Sequence, residues 1–290
     1  MIEFQDIIKG RPLANAVIER IAKTMDDITL GVVDRVKYMI MSVGEFSVFA
    51  ISSLRLLFTQ PYRYGELIKH MEFIGNQSVW IITLTSIFTG LALSFQIYLG
   101  FKLVNAVNLV GPTVALGITR ELGPVLTGLI VAARAGGAMA ARLGTMRVNE
   151  QLDALDVMGV NTKQYLIAPR IVAAVICMPL LTGLFDFMAM VGSWFLCVHI
   201  VGLDSAIFFE KIRQTVDVHH INEGLFKSAI FGFMFAVICT YQGYHTKGGA
   251  KGVGEATNKG VVMSMVSIII VDYFLMNLIR MYYIFVGISK

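Results

Sequence analysis

The chain has 290 residues, of which 56% are hydrophobic and 15% are charged, and its mean hydropathy is +0.69. A soluble domain has about 25% charged residues, so this composition predicts an integral membrane protein. The net charge of +4 is small and spread along the chain, which excludes the clustered basic face of a nucleic-acid-binding protein.

The N-terminal residues 1–77 are predicted to form a cytosolic arm. Residues 1–33 lack the basic start, short apolar core and cleavage site of a signal peptide. Residues 36–58 are apolar but contain Glu45 and Arg55, so we expect an amphipathic helix lying along the membrane surface. A sixth membrane span is the alternative, although a central glutamate inserts poorly.

Five windows are long and apolar enough to cross a membrane, because a span needs about 20 apolar residues. They are roughly residues 78–101, 105–133, 171–201, 225–246 and 260–288. We therefore expect an all-α integral membrane protein of about five transmembrane helices. No linker or repeat divides residues 78–290, which are predicted to form one membrane domain.

Lysine and arginine concentrate on the cytosolic side of membrane proteins, so their distribution predicts the orientation. With the N-terminus inside, the cytosolic segments 1–77, 134–170 and 247–259 hold seventeen basic residues, whereas the external segments hold four. This orientation predicts a periplasmic C-terminus and an external segment at about 202–224. A short helix is expected across residues 205–216 of that segment.

The cytosolic loop between the second and third windows has the pattern of a short amphipathic helix at about 147–159. Leu152, Leu155 and Met158 recur at spacings of three residues, and Gly159 can end the helix in the left-handed conformation. The apolar stripe must pack either under its own bundle or against another protein. Periodicity alone leaves both alternatives open.

Arg120 and Glu121 are the only charged residues from 103 to 133. A charge in mid-membrane costs about 3 kcal/mol or more, so these side chains must face protein or water. One interpretation is an ion pair that locks helices together or reaches an interface. The other is that Gly123 and Pro124 open the helix and turn Arg120 into a cavity, where it binds a phosphate. Glu121 would then tether a neighbouring helix or balance the arginine.

The first window adds further candidates for binding a lipid. Gln96 and Tyr98 carry polar atoms inside an apolar helix, and Phe95 and Leu99 lie one turn apart. An apolar cavity with sparse polar groups, formed between two protomers, would use such residues. Ordinary helix packing with an interfacial tyrosine is the alternative.

Asp186, Asp272 and Arg280 are further charged candidates within predicted spans, and the sequence assigns them no partner.

Motifs for catalysis, nucleotide binding or metal binding are missing from the sequence. The glycine-rich segment 248–260 lacks the Lys-Ser/Thr pair that cradles a phosphate. His219 and His220 are adjacent, so they diverge on a helix and have no third ligand nearby. We therefore expect a non-catalytic protein without a cofactor, in which a partner subunit hydrolyses any ATP that is used.

Four segments resemble the MlaE/YrbE family of ABC-transporter permeases. They are RELGPVLTGLIVAARAGGAMAARLGTMRVNEQLDALDVMGVN (120–161), APRIVA (168–173), GLFKSAIFG (224–232) and YQGYHTKGGAKGVGEATNKGVV (241–262). The resemblance covers roughly residues 60–285. It implies a MlaE-like permease fold.

The resemblance also implies the setting in which the protein works. It implies a homodimer in the bacterial inner membrane, with a cytosolic ABC ATPase below and MCE-domain periplasmic proteins above. Such systems move phospholipids between the inner and outer membranes and maintain the lipid asymmetry of the outer membrane. The helix at about 147–159 would be the coupling helix seated in the ATPase. Its coupling residues would be Glu150, Leu152, Asp153, Leu155, Met158 and Gly159.

Two other classes of function remain as alternatives. A proton-coupled secondary transporter could use Asp186, Asp272 or Glu121, but such proteins usually contain inverted repeats, and none is visible. A non-transporting membrane scaffold is the second alternative. Co-purification of an ATPase together with bound phospholipid would argue against a scaffold.

Overall fold

The computed structural model describes residue 41 and residues 44–52 and 64–286. Predictions that fall on residues 1–40, 42–43, 53–63 and 287–290 lie outside this part of the chain. Of the predicted surface helix, residues 44–52 are helical and are labelled α1. Within α1 the Ser52 hydroxyl donates to the Phe49 carbonyl at 2.8 Å. The described residues form helices and no strand, so the all-α fold class is confirmed.

Among the described residues, five helical segments are long and apolar enough to cross a membrane, in agreement with the predicted number of about five. Spans 1 to 5 are Tyr64–Leu103, Val107–Val148, Lys163–Ile200, Val218–Tyr244 and Gly249–Phe285. All five are longer than the predicted windows, because hydropathy detects only the apolar part of a helix. Span 2 has 42 residues. At 1.5 Å per residue it would reach about 63 Å, beyond a hydrocarbon core of about 30 Å.

Several of the spans are built from more than one helix. The helices after α1 are α2 (Tyr64–Ile74), α3 (Asn76–Leu103), α4 (Val110–Gly117), α5 (Gly123–Val131), α6 (Gly137–Val148), α7 (Gln151–Val157), α8 (Ala168–Trp194), α9 (Ser205–Thr215), α10 (Val218–Tyr244) and α11 (Gly249–Val286). A short 3-10 helix, Val107–Leu109, precedes α4. Wider π-helical turns lie at Ile118–Leu122, Ala132–Gly136, Lys163–Ile167 and Phe195–Ile200. Such turns are frequent at functional sites.

Helices α8 and α10 form the centre of the bundle. Helices α2 and α3 pack on α8, whereas α6 and α11 pack on α10. The apolar window of span 4 is 61% buried, but that of span 5 is only 11% buried and that of span 1 is 28% buried. Spans 1 and 5 therefore present most of their apolar surface to lipid or to another protein.

Helices α3 and α8 pack with their backbones in contact. The buried residues of α3 recur every four positions and are Ser78, Ile82, Ser86, Gly90 and Ser94. The Ser94 hydroxyl donates to the Ser193 hydroxyl at 2.7 Å. A Cβ atom on Gly90 would lie 2.0 Å from the Ala189 carbonyl oxygen. Small residues therefore allow the close approach, as they do at many membrane helix interfaces.

The segment between spans 3 and 4 contains the predicted short helix, observed as α9. The Asp204 carboxylate caps it by accepting from the Ala206 N–H at 2.7 Å. Helix α10 begins at Val218, within the segment predicted to be external at about 202–224, and that prediction of sidedness stays a prediction. Asp217 and His220 form a capping box that starts the helix there.

The predicted amphipathic helix after span 2 exists, but its bounds differ. Helix α6 continues to Val148, so the predicted start at 147 is wrong. Glu150 adopts a left-handed conformation with φ 58°, which ends α6 and lets α7 begin at Gln151. Gly159 has φ 74°, which confirms the predicted left-handed position after the helix.

Gly90→Ala would drive a methyl group into the Ala189 carbonyl and force α3 away from α8. We expect this variant to lose about 1–3 kcal/mol of stability through overpacking. Gly100→Ala is the control in the same helix, because nothing lies within 4 Å of a Cβ at that position. Thermal unfolding in detergent measures both variants, and equal midpoints would contradict the backbone contact.

Candidate functional site

The polar site is organised by the π-helical turn Ile118–Leu122, which contains Arg120 and Glu121. The Gly123 N–H donates to the Ile118 carbonyl five residues back, and Pro124 has no N–H to give to Arg120. The helix is therefore widened at this point, which confirms that the Gly-Pro sequence opens it. The Arg120 carbonyl is left to accept a hydrogen bond from Lys227 Nζ at 3.2 Å.

Arg120 pairs with a carboxylate on α10. Its Nε lies 3.2 Å from Glu223 Oε2, and its Nη2 donates to Glu223 Oε1 at 3.5 Å. The Glu223 side chain is 0% exposed, whereas that of Arg120 is 35% exposed. The guanidinium thus contacts a buried anion on one side and keeps an accessible surface on the other.

Lys227 joins three spans through its ammonium group. Its side chain is 0% exposed and lies 2.9 Å from Glu121 Oε2 on span 2. It also lies 3.4 Å from Asp272 Oδ1 on span 5. The ammonium donates hydrogen bonds to the Arg120 carbonyl and to Glu121 Oε2, whereas Asp272 contributes an ion pair without a hydrogen bond. Arg120, Glu121, Glu223, Lys227 and Asp272 are called the charge network below.

Asp186 approaches the π-helical turn from α8. A Cβ atom on Gly123 would lie 1.9 Å from Asp186 Oδ1, so the carboxyl group occupies the space that this glycine leaves. Asp186 is 8% exposed, and its Oδ1 has no hydrogen-bond partner among the described residues. Arg280 is exposed and has no ion pair within residues 64–286.

The other predicted lipid-binding residues lie on α3 and not at the charge network. Phe95, Gln96 and Leu99 are exposed, and Tyr98 is half-buried. The Lys102 ammonium lies 5.7 Å from the centroid of the Tyr98 ring. In the described part of the chain, no hydrogen bond or ion pair joins these α3 residues to the charge network.

The predicted coupling residues separate into a buried and an exposed group. Leu152 is 0% exposed and packs in the chain's own core with Leu143 and Leu166. It therefore offers no surface to a partner, unlike the expectation, because the left-handed turn at Glu150 directs α7 back under the bundle. Leu155 packs partly against the same core, whereas Met158 is 69% exposed.

Polar contacts fasten α7 to its neighbours. Arg147 Nη1 lies 2.5 Å from Asp153 Oδ1, which links the end of α6 to α7. The Thr162 hydroxyl donates to the Asp156 carboxylate. Asp153 is therefore held by the chain itself, and Glu150 is exposed at the turn.

The sequence analysis missed Glu223 and Lys227. Hydropathy placed Glu223 in the external segment and left Lys227 unremarked at the start of a span. A usable signal was present, since residues four apart share one helix face and Gly224 lies between them. A Cβ on Gly224 would lie 2.0 Å from the Thr119 carbonyl oxygen, which marks close contact with the π-helical turn.

An all-α bundle of five apolar spans within the described residues is the architecture of a multi-pass membrane protein. The family model described as Permease MlaE matches residues 67–278, a range that includes the whole charge network and α7. The chain belongs to the MlaE family of ABC-transporter permeases.

Individual relatives agree with this family. A probable ABC transporter permease protein of Rickettsia bellii is 37% identical over 237 residues, covering 82% of this chain and 92% of that protein. The intermembrane phospholipid transport system permease protein MlaE of Haemophilus influenzae is 35% identical, covering 72% and 80%. The chloroplastic protein TRIGALACTOSYLDIACYLGLYCEROL 1 of Arabidopsis thaliana is 38% identical, covering 73% and 61%.

Lys227→Met would leave the carboxylates of Glu121 and Asp272 without their cation. We expect a loss of about 3–5 kcal/mol, seen as a lower thermal unfolding midpoint in detergent. Lys247→Met removes an exposed lysine just after α10 and should leave the midpoint unchanged.

Adding Glu121→Gln and Asp272→Asn to Lys227→Met removes the uncompensated charges. This triple variant should recover most of the lost stability, and a failure to recover would contradict the charge network as the cause.

Proposed function

We propose that the chain is the membrane-spanning subunit of an ATP-driven transporter that moves phospholipids between the inner and outer membranes of a bacterium. The observation that carries the proposal is Arg120, a partly exposed guanidinium held by a fully buried carboxylate inside the membrane domain. Membership of the MlaE family supports the same assignment. The subunit itself is non-catalytic and binds no cofactor.

Arg120 binds the phosphate of the lipid headgroup in this proposal. Glu223 occupies only part of the guanidinium, which has further N–H donors for a second anion. Lys227 holds the Glu121 carboxylate at 2.9 Å, so this neighbour is engaged elsewhere and does not compete with phosphate for Arg120. The ion pairs therefore orient the arginine and leave one side of it available.

The acyl chains contact the exposed face of α3, where Phe95, Gln96, Tyr98 and Leu99 lie. Because this face does not meet Arg120 within one chain, we propose that a second copy completes the cavity. The low burial of spans 1 and 5 supports a homodimer, since both present broad apolar surfaces.

A cytosolic ABC ATPase supplies the energy and contacts the surface around α7. The exposed apolar side chains there include Val157 and Met158, and Leu155 and Glu150 lie beside them. Leu152 connects α7 to the core beneath spans 2 and 3, so a push on α7 would reach the π-helical turns and change the cavity. Periplasmic MCE-domain proteins would bind at the opposite end, with the N-terminus cytosolic and the C-terminus periplasmic.

Met158→Asp tests the contact with the ATPase. A carboxylate at this exposed apolar position should reduce the amount of ATPase that co-purifies about tenfold. Met158→Leu keeps the apolar contact and should retain the ATPase. Full co-purification and unchanged lipid transport with Met158→Asp would exclude α7 as the coupling surface.

Arg120→Gln combined with Glu223→Gln tests the headgroup site without leaving a buried carboxylate unpaired. We expect about tenfold less phospholipid retained per purified chain, because the charge-assisted hydrogen bonds to phosphate are lost. Arg213→Gln, on the exposed surface of α9, is the charge-matched control. Mass spectrometry of extracted lipid measures the effect, and equal retention by both variants would overturn the role of Arg120.

A further inference from the structure

Two arginines outside the charge network converge on one aromatic ring. The guanidinium carbon of Arg134 lies 5.1 Å from the centroid of the Phe73 ring, and that of Arg142 lies 4.4 Å from it. Phe73 is near the end of α2, whereas both arginines belong to span 2. Two like charges beside one ring repel each other, so this arrangement favours a bound anion.

Arg134 is held in place by the junction of α2 and α3. It lies in the π-helical turn Ala132–Gly136 and donates to the Phe73 carbonyl at 2.8 Å and to the Ser78 hydroxyl at 2.9 Å. Its Nη2 also donates to the side-chain oxygen of Gln77. These hydrogen bonds orient the guanidinium before any ligand arrives.

Arg142 is exposed and keeps its N–H donors available. Within residues 64–286 its guanidinium lies beside the Phe73 ring and forms no hydrogen bond or ion pair. Its charge acts on both Arg134 and Arg170, which adds to the local positive potential. The carboxylate of Glu66 also acts on Arg170, but it lies 2.8 Å from Lys69.

The sequence places the ring at the end of an uncharged stretch, where the headgroups of a bilayer are expected. Phe73 is at one end of a stretch, 73–101, that contains no charged residue. The arginines lie at the same end of the bundle, where span 2 leads into α7. Basic side chains near this boundary between hydrocarbon and water attract anionic lipid headgroups.

We propose that Arg134 and Arg142, which both lie beside the Phe73 ring, form a binding site for the phosphate group of an anionic lipid on the α7 side of the membrane. Arg134 is preoriented, and Arg142 supplies N–H donors that no other described group uses. The site is distinct from Arg120, which precedes Arg134 by fourteen residues, about 21 Å along a helix. A lipid bound here would join α2 to span 2 and would not be transported.

The test titrates the purified full chain with phosphatidylglycerol in a neutral detergent and counts bound lipid by native mass spectrometry. Arg142→Gln should weaken binding about fivefold, because one basic group near the headgroup is lost. Lys251→Gln removes an exposed lysine of α11 and should leave binding unchanged. Phosphatidylcholine in place of phosphatidylglycerol should bind more weakly to the parent chain.

Competition with inorganic phosphate distinguishes the sources of the ligand. Displacement of the lipid by millimolar phosphate would support a site for phosphate in general, whereas persistence of the lipid would support a headgroup site. Equal binding by the parent and Arg142→Gln would overturn the proposal, as would equal weakening by Arg142→Gln and Lys251→Gln. Loss of a co-purified ATPase from Arg142→Gln, with lipid binding intact, would also overturn it and would indicate a protein contact.

Discussion

The ammonium group of Lys227 is completely buried in a chain whose outer surface is built for lipid. An unpaired charge in such a place is strongly unfavourable, so acceptors must be supplied by neighbouring helices. Glu121 comes from span 2 and Asp272 from span 5, while Lys227 belongs to span 4. This one requirement limits how the three spans can rotate about their axes. It also engages Glu121, while the adjacent Arg120 points to a different neighbour and pairs with Glu223.

Two glycines allow the helices that carry these charges to approach closely. Gly224 allows α10 to touch the Thr119 carbonyl, and Gly123 makes room for Asp186 on the other side of the same turn. A larger residue at either position would separate the helices and lengthen the ion pairs. The polar interior therefore depends on the absence of two side chains as much as on the charges that are present.

Much of the architecture was predictable from the sequence, because apolar length and helical period are local properties. The five spans, α9, the left-handed Gly159 and the opened helix at Gly123 follow from such patterns. The partners of Arg120 and Glu121 were not predictable in this way. They depend on the rotation of α10 and on a capping box that starts this helix at Val218. Hydropathy discounts the charged first turns of a span, which is where Glu223 lies.

The periodic pattern also did not predict that Leu152 is buried in the chain's own core. Its spacing from Leu155 and Met158 identified one apolar stripe, but the backbone turn at Glu150 divides that stripe between core and surface.

The two π-helical turns of span 2 have a further consequence for helical phase. Each wide turn accommodates an extra residue relative to a regular helix, and one residue corresponds to a rotation of about 100°. Deleting a residue from Ile118–Leu122 could restore regular winding, but everything downstream would then face a different direction. Arg134 and Arg142 would then turn away from Phe73, even though the residues next to them in the sequence are unchanged. The number of residues in span 2 therefore matters as much as their identity, because both determine which neighbours Arg134 and Arg142 face.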